Sequence, residues 1–285
     1  MQTTAKKALA DYIAMMPDVP FTEDDIIIEF AAKDKMVERA KALCALYVPD
    51  KVLNESQMWE LENIIGANAL IGRVKSAVLV RKNSRQNVNG LREVMYHELT
   101  HIFCGMTEMD GEHFIDIYGS GHTPDENPEN KIYDGQLNAG YVVWSEFIAQ
   151  YYALRLVHKN GISSARLSGE LFGLLSEVHA NDISGSKKAF AMVCSYMLAC
   201  SDIDRLIERL NEPNCIFDDN KPFGEQTQAA FNNCLLKLYE NIKKDKPWKI
   251  TIGFIEELGA KYHVFISMNS VYLGLMPSSL YGGQP

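Results

Sequence analysis

The sequence MYHELTHIF at residues 95–103 places His97 and His101 four positions apart, with Glu98 directly after the first histidine. In a helix, residues at this spacing lie on one face, one turn apart. Two neutral imidazoles placed in this way can bind a zinc ion. Glu98 is rotated by about 100° from His97, so we expect it to accept a proton from a metal-activated water and not to bind the metal.

The flanking residues predict that this stretch is a buried helix behind a strand. Apolar residues recur at helical spacing on its other face, namely Leu91, Met95, Leu99, Ile102 and Phe103. We expect the helix to begin at Asn89 and to end at Gly105, after about Cys104. The short apolar run at residues 76–81 predicts a strand, and the polar run that follows it predicts a loop.

This order of strand, polar turn and HELTH helix, over about residues 72–158, resembles the zincin metallopeptidases. The resemblance implies a small sheet whose edge strand, here residues 76–81, binds the backbone of a peptide substrate. The metzincin pattern is disfavoured, because no third histidine follows His101 at the required distance. The segment WSEFIAQYYA at residues 144–153 is similar to the glutamate helix of the ImmA/IrrE-type minigluzincin peptidases, which implies Glu146 as the third zinc ligand.

Other side chains are candidates for the third ligand as well. Within reach by sequence are Glu108, Asp110, Glu112, His113, Asp116, His122 and Glu146. All but the last lie in a turn-rich segment, where a ligand is hard to hold in place. Glu146 lies on an apolar helix, with the small residues Ala149 and Ala153 on its face. Gln150 stands where many similar peptidases carry Asp or Asn, and its carbonyl oxygen can orient a histidine ligand.

The residue that would stabilise an oxyanion is left open by the sequence. Zincins of this type often use a tyrosine or a histidine for that purpose. The candidates here are Tyr133, Tyr141, His179 and His263.

The remaining pattern predicts an α+β protein that is mainly helical. Helices are predicted at residues 34–48, 137–157, 163–180, 186–199, 201–211, 225–243 and 250–259, and short strands at 113–118 and 261–266. We expect a zincin-like catalytic core with N-terminal helices at residues 1–160. A C-terminal helical lobe at 161–285 would pack on it, with a mobile tail from about residue 276.

Composition and charge narrow the class of protein. The net charge of −9 disfavours nucleic acid as a partner. The sequence has neither a recognisable secretory signal nor an apolar run long enough to cross a membrane. Six scattered cysteines are expected to stay reduced, in a cytoplasmic protein. Eight acidic residues and one base lie between residues 102 and 140, so the predicted loop at 106–136 is strongly acidic.

These observations together predict a zinc-dependent metallopeptidase that hydrolyses a peptide bond in a protein or peptide, with Glu98 as general base. One alternative is a regulatory or metal-sensing protein on the same scaffold, without turnover. Another is an interaction protein whose acidic loop binds a basic partner while the HELTH residues serve no purpose. The substrate and the oligomeric state do not follow from the sequence.

Overall fold

The computed structural model describes residues 1–47, 52–63, 66–72, 75–82, 87–107, 128–162, 183–209 and 225–275. Over these ranges the chain is mainly helical and contains a small three-stranded sheet. The predicted α+β, mainly helical fold class is therefore confirmed at this level. The described residues form no helix with the length and apolarity needed to cross a membrane.

The sheet consists of β1 (Ile26–Ala31), β2 (Ala67–Leu70) and β3 (Ser76–Arg81), in the order β1-β3-β2. β3 pairs in parallel with β1 and antiparallel with β2. The predicted strand at residues 76–81 is confirmed. The expectation that it is an edge strand is wrong, because both of its sides are hydrogen-bonded. Its residues from Ser76 to Val80 are all buried, as is usual for a strand covered on both faces.

Helices cover both faces of this sheet. On one face, α2 (Met36–Tyr47) and α3 (Glu55–Asn63) pack on Ala77 and Leu79 through a shared apolar cluster. α1 (Gln2–Met15) contacts β1, and α4 (Val88–Thr107) contacts β2 and β3. Side chains alternate across a strand, so Val78 and Val80 point to the face opposite Ala77 and Leu79.

Helix α4 carries the HELTH residues and is longer than predicted. It continues through Gly105 to Thr107, so the expectation that Gly105 ends the helix is wrong. A Cβ atom on Gly105 would lie 2.8 Å from Cδ1 of Ile71, the residue that follows β2. The glycine therefore makes room for the Ile71 side chain, and helix termination does not explain it.

A buried hydrogen bond joins α1 to α4, and a second one within α4 orients its acceptor. The Tyr12 hydroxyl donates to Oγ1 of Thr100 over 3.1 Å, and the Thr100 hydroxyl donates to the Tyr96 carbonyl oxygen over 2.7 Å. Burial raises the pKa of Tyr12 well above its ordinary value, so its hydroxyl stays a proton donor. At the edge of this contact, Arg92 pairs with Asp11 at 3.1 Å.

The second helix of interest, α5 (Pro128–Val157), begins nine residues earlier than position 137, where we predicted it. Proline is favoured in the first turn of a helix because its missing N–H is not needed there. Residues 128–136 of the predicted acidic loop are therefore helical. Residues 108–127, with the predicted strand at 113–118, lie outside the described residues.

By its contacts the chain divides into two compact units. One combines Met1–Phe114 with Ile148–Gly161, and the other combines Ile115–Phe147 with Ile162–Pro285. The boundary falls within α5, and residues 115–147 group with the C-terminal helices. The predicted domains at 1–160 and 161–285 remain a prediction.

The second unit is helical in its described part, with α6 (Ile183–Leu198), α7 (Ile203–Arg209), α8 (Glu225–Ile242) and α9 (Ile252–Leu275). The strand predicted at residues 261–266 is wrong, because this segment lies inside α9. Leu258, Tyr262 and Phe265 recur at helical spacing and are all buried. That spacing outweighs the β-branched and aromatic composition of the segment.

Two further sequence predictions concern residues outside the described ranges. They are the helix at 163–180 and the tail from residue 276. Of the six cysteines, five lie in the described ranges and are buried thiols, namely Cys44, Cys104, Cys194, Cys200 and Cys234. Burial raises the pKa of Cys194 well above its ordinary value and that of Cys234 to about 12, so both stay protonated.

Candidate metal site

Helix α4 brings its two histidines together on one face. Nε2 of His97 lies 3.0 Å from Nε2 of His101, and the ring centroids are 4.7 Å apart with the ring planes at 78°. Both side chains are half-buried, whereas Leu99, Ile102 and Phe103 on the other side of the helix are fully buried. The packed face holds the helix, and the histidine face is partly exposed.

Glu146 on α5 completes a group of three potential ligands. One atom from each of His97, His101 and Glu146 can be chosen so that all three lie within 4.8 Å of one another. Each of the three side chains is half-buried. Among the described residues, this is the one group of three or more His, Cys, Asp or Glu side chains with such a spacing. The structure therefore brings together the three residues that the sequence analysis named as zinc ligands.

The residues of this group fit a zinc ion by their chemistry. Two imidazole nitrogens and a carboxylate oxygen are a common protein ligand set for catalytic zinc, which leaves a further position for water. The facing Nε2 atoms of His97 and His101 support this fit. Two imidazole nitrogens only 3.0 Å apart need either a shared proton or a cation between their lone pairs.

Gln150, one turn after Glu146 on α5, contacts the first histidine. Its Oε1 lies 3.0 Å from Nδ1 of His97, and its Nε2 donates to Oε1 of Glu93 over 2.8 Å. The orienting contact expected for Gln150 is therefore present. Glu93 was not identified from the sequence, although it lies four residues before His97, at the spacing of neighbours on a helix.

Glu98 is 8% exposed, and it is the only Asp, Glu, Lys or Arg classed as buried among the described residues. Burying a carboxylate is costly unless it is compensated by a partner or a cation. The buried carboxylate is that of the residue which directly follows His97 on α4.

A lysine from α6 lies against the proposed third ligand. Nζ of Lys188 is 3.6 Å from Oε1 of Glu146, with 46% of the lysine side chain and 16% of the glutamate side chain exposed. The sequence analysis did not identify this residue, because no local pattern links positions 146 and 188. Its neighbour Lys187 donates to Oδ1 of Asn138 over 3.3 Å, and burial lowers the pKa of Lys187.

The other candidates for the third ligand or for the residue that stabilises an oxyanion fall into two classes. Glu108, Asp110, Glu112, His113, Asp116, His122 and His179 lie outside the described residues, and the side chain of Tyr133 is also not described. Tyr141 and His263 are described, and their rings lie 6.0 Å from Trp144 and 6.2 Å from Tyr262, respectively. Neither contact joins them to the His97 and His101 pair.

The tyrosines after Gln150 on α5 belong to the packing of this helix. The rings of Tyr151 and Tyr152 are 5.5 Å apart in an edge-to-face arrangement. Burial raises the pKa of both hydroxyls. They stay protonated at neutral pH, and Ala149 and Ala153 on the same helix are fully buried.

Comparisons with known proteins do not extend this picture. No family model matches the sequence, and neither the curated proteins nor the solved structures include a significant match to it. The functional conclusion therefore depends on the residues of the site and on their geometry.

Proposed function

We propose that this protein is a zinc-dependent metallopeptidase of the gluzincin type. His97, His101 and Glu146 would hold the metal, and Glu98 would act as general base. The observation that carries the proposal is the convergence of the three ligand atoms within 4.8 Å of one another. The three residues come from two helices. The HELTH spacing indicates His97 and His101, and the resemblance to minigluzincin peptidases implies Glu146.

Each residue would have a distinct role in the proposed reaction. A bound zinc ion would lower the pKa of a water molecule and polarise the peptide carbonyl. Glu98 would accept the proton of that water and deliver it to the leaving amine. Gln150 would hold the ring of His97 in place through Nδ1, which leaves Nε2 for the metal.

A peptide substrate would bind along β2 instead of β3. In the described sheet β2 is an edge strand, and it runs beside α4. A Cβ atom on Gly66 would lie 3.4 Å from Val94, and one on Gly105 would lie 2.8 Å from Ile71. Since Val94 precedes His97 and Gly105 follows His101, the strand passes the segment with both histidines. An extended peptide added to this edge would cross the metal site.

A metal-sensing protein without turnover is the second candidate function. The contact between Lys188 and Glu146 favours it, because an ammonium group on a ligand carboxylate competes with a cation. Metal binding would then release Lys188 and signal through α6. Cleavage that depends on Glu98 distinguishes the peptidase from the sensor. The cytoplasmic location and the lack of a nucleic-acid partner stay predictions.

Two measurements test the proposal. The first is the metal content of the purified full-length protein, before and after incubation with zinc, beside His97→Ala. The second is a search for new N-termini after incubation of the zinc-loaded protein with a proteome-derived peptide library. We expect about one zinc per chain and a defined set of cleavages. A protein that binds no zinc would overturn both candidate functions, and zinc binding without cleavage would favour the sensor.

A further inference from the structure

We propose that Glu93 selects the metal-binding tautomer of His97 through Gln150, which makes Glu93 a positioning residue of the site. The inference rests on the proposed metal site for its functional meaning, but its structural basis is independent of any metal. It starts from a chain of two hydrogen bonds, Glu93 to Gln150 and Gln150 to His97, over 2.8 Å and 3.0 Å.

The chain has only one consistent order of donors and acceptors. An ionised carboxylate only accepts hydrogen bonds, whereas an amide group has one donating end and one accepting end. The carboxylate of Glu93 therefore takes the Nε2 end of Gln150. Oε1 of Gln150 is left to face His97, and since a carbonyl oxygen cannot donate, Nδ1 of His97 has to carry the proton.

The consequence for the metal site lies at the other nitrogen. A neutral imidazole carries one proton, so a proton on Nδ1 leaves the lone pair on Nε2. Nε2 is the atom of His97 that faces Nε2 of His101 over 3.0 Å. Glu93 thus determines which nitrogen of His97 is available for the metal, although it does not contact the ring.

The positions of Glu93, Gln150 and His97 stabilise these two hydrogen bonds. Gln150 is 7% exposed, so water competes little for its amide group. Glu93 and His97 are one turn apart on α4, and Gln150 reaches between them from α5. Without an acceptor at position 93, the amide of Gln150 could turn over and offer its N–H groups to Nδ1. The proton of His97 would then move to Nε2.

The deciding measurement is the tautomer of His97 in metal-free, full-length protein. Long-range ¹H–¹⁵N correlation spectra distinguish a protonated Nδ1 from a protonated Nε2. The signals of His97 are assigned by their loss in His97→Ala. The pH is set about two units above the ordinary histidine pKa of about 6.5, so that the ring is neutral. We expect the Nδ1-protonated form in the wild type.

Glu93→Lys reverses the direction of the hydrogen bonds that run through Gln150 to His97, because a lysine side chain only donates hydrogen bonds. We expect it to shift His97 toward the Nε2-protonated form and to weaken zinc binding by about 10–100-fold, the usual effect of a lost outer partner. Glu62→Lys is the matched control. It makes the same change of charge at an exposed position of α3 and leaves the tautomer unchanged.

A double variant that exchanges the side chains of residues 93 and 150 separates the effect of hydrogen-bond direction from the effect of side-chain packing. In the double variant Glu93→Gln with Gln150→Glu, the new amide donates to the new carboxylate, which accepts the Nδ1 proton of His97. The net charge is that of the wild type. We expect the wild-type tautomer and zinc affinity within about threefold of the wild type, well inside the 10–100-fold loss of a disrupted partner.

The outcomes distinguish this inference from the proposed function. An Nε2-protonated His97 in the wild type, or an unchanged tautomer in Glu93→Lys, would overturn the role of Glu93 whatever the activity. If Glu93→Lys does not fold, the wild type and the double variant Glu93→Gln with Gln150→Glu still test the role of Glu93. Loss of the Nδ1-protonated form of His97 in that double variant would overturn the inference. A wild type that binds no zinc would overturn the proposed function and leave the tautomer result standing.

Discussion

Nε2 of His97 lies 3.0 Å from Nε2 of His101, although nothing in the local helix geometry requires the two rings to meet at these atoms. The contact of Nδ1 of His97 with Gln150 sets the orientation of the first ring. Both imidazoles therefore direct the same kind of nitrogen toward one point. Residues from two helices, α4 and α5, therefore take part in this arrangement.

The first prediction concerns this pair. We expect His97→Ala to weaken zinc binding by more than the 10–100-fold that is usual for loss of an outer partner of a ligand. The loss should be larger because His97→Ala removes one of the three side chains proposed to contact the metal directly. The measurement is zinc affinity by competition with a chromophoric chelator. His263→Ala is the control, because His263 lies on α9 outside the group of ligands. Equal affinities of wild type and His97→Ala would exclude this metal site.

The second prediction concerns Glu98. We expect Glu98→Gln to keep the fold and the zinc content and to lose hydrolysis by about 10²–10⁴-fold, the usual contribution of a general base. Glutamine has nearly the same shape as glutamate but cannot take up the proton of a water molecule. The measurement is the cleavage rate of a peptide from the library search, with metal content determined on the same samples. Equal rates in both proteins would end the peptidase proposal.

The local elements of the fold were predictable because short-range patterns determine them. The apolar run at residues 76–81 predicted β3, and the apolar stripe at helical spacing predicted α4. The helices predicted at 34–48 and 225–243 agree with α2 and α8. The three consecutive isoleucines of β1 are also typical of a strand, although no strand was predicted there. The four residues of β2, ANAL, have low strand propensity and are held by their pairing with β3.

The site was predictable in the part that sequence spacing fixes. His97, Glu98 and His101 follow from one turn of helix, and Glu146 was named by resemblance and by its apolar surroundings. Glu93 and Lys188 were missed, because their contacts with Gln150 and Glu146 exist only after distant segments have packed. The central position of β3 was missed for the same reason, since the order of strands in a sheet is a property of the tertiary structure.

The third prediction concerns the lysine on the proposed third ligand. We expect Lys188→Met to strengthen zinc binding, because the ammonium group no longer competes for the Glu146 carboxylate. The effect should be small, since a half-exposed ion pair contributes about 0.2–1 kcal/mol, or up to about fivefold in affinity. Lys187→Met is the control, because Lys187 bonds to Asn138 and not to Glu146. Weaker zinc binding in Lys188→Met would instead indicate that Lys188 supports the site.

The fourth prediction concerns the crossing of α5 and α9 at two glycines. A Cβ atom on Gly140 would overlap the carbonyl oxygen of Ile255 and lie 2.9 Å from the backbone nitrogen of Gly259. A Cβ atom on Gly259 would overlap the carbonyl oxygen of Gln136. These neighbours are backbone atoms, which cannot turn aside as the end of a side chain can. We therefore expect Gly140→Ala to lower the free energy of unfolding by about 1–3 kcal/mol, the usual range for overpacking.

The control for this substitution lies on α9, the other helix of the crossing. A Cβ atom on Gly253 of α9 would have no neighbour within 4 Å, so Gly253→Ala should gain about 0.5–1 kcal/mol from helix propensity alone. Urea denaturation of the wild type, the single variants at Gly140, Gly253 and Gly259 and the double variant gives the comparison. We expect the double variant Gly140→Ala with Gly259→Ala to lose less than the sum of the single losses, because one separation of the helices relieves both overlaps. If Gly140→Ala is as stable as Gly253→Ala, the two helix backbones do not approach each other as closely as this crossing requires.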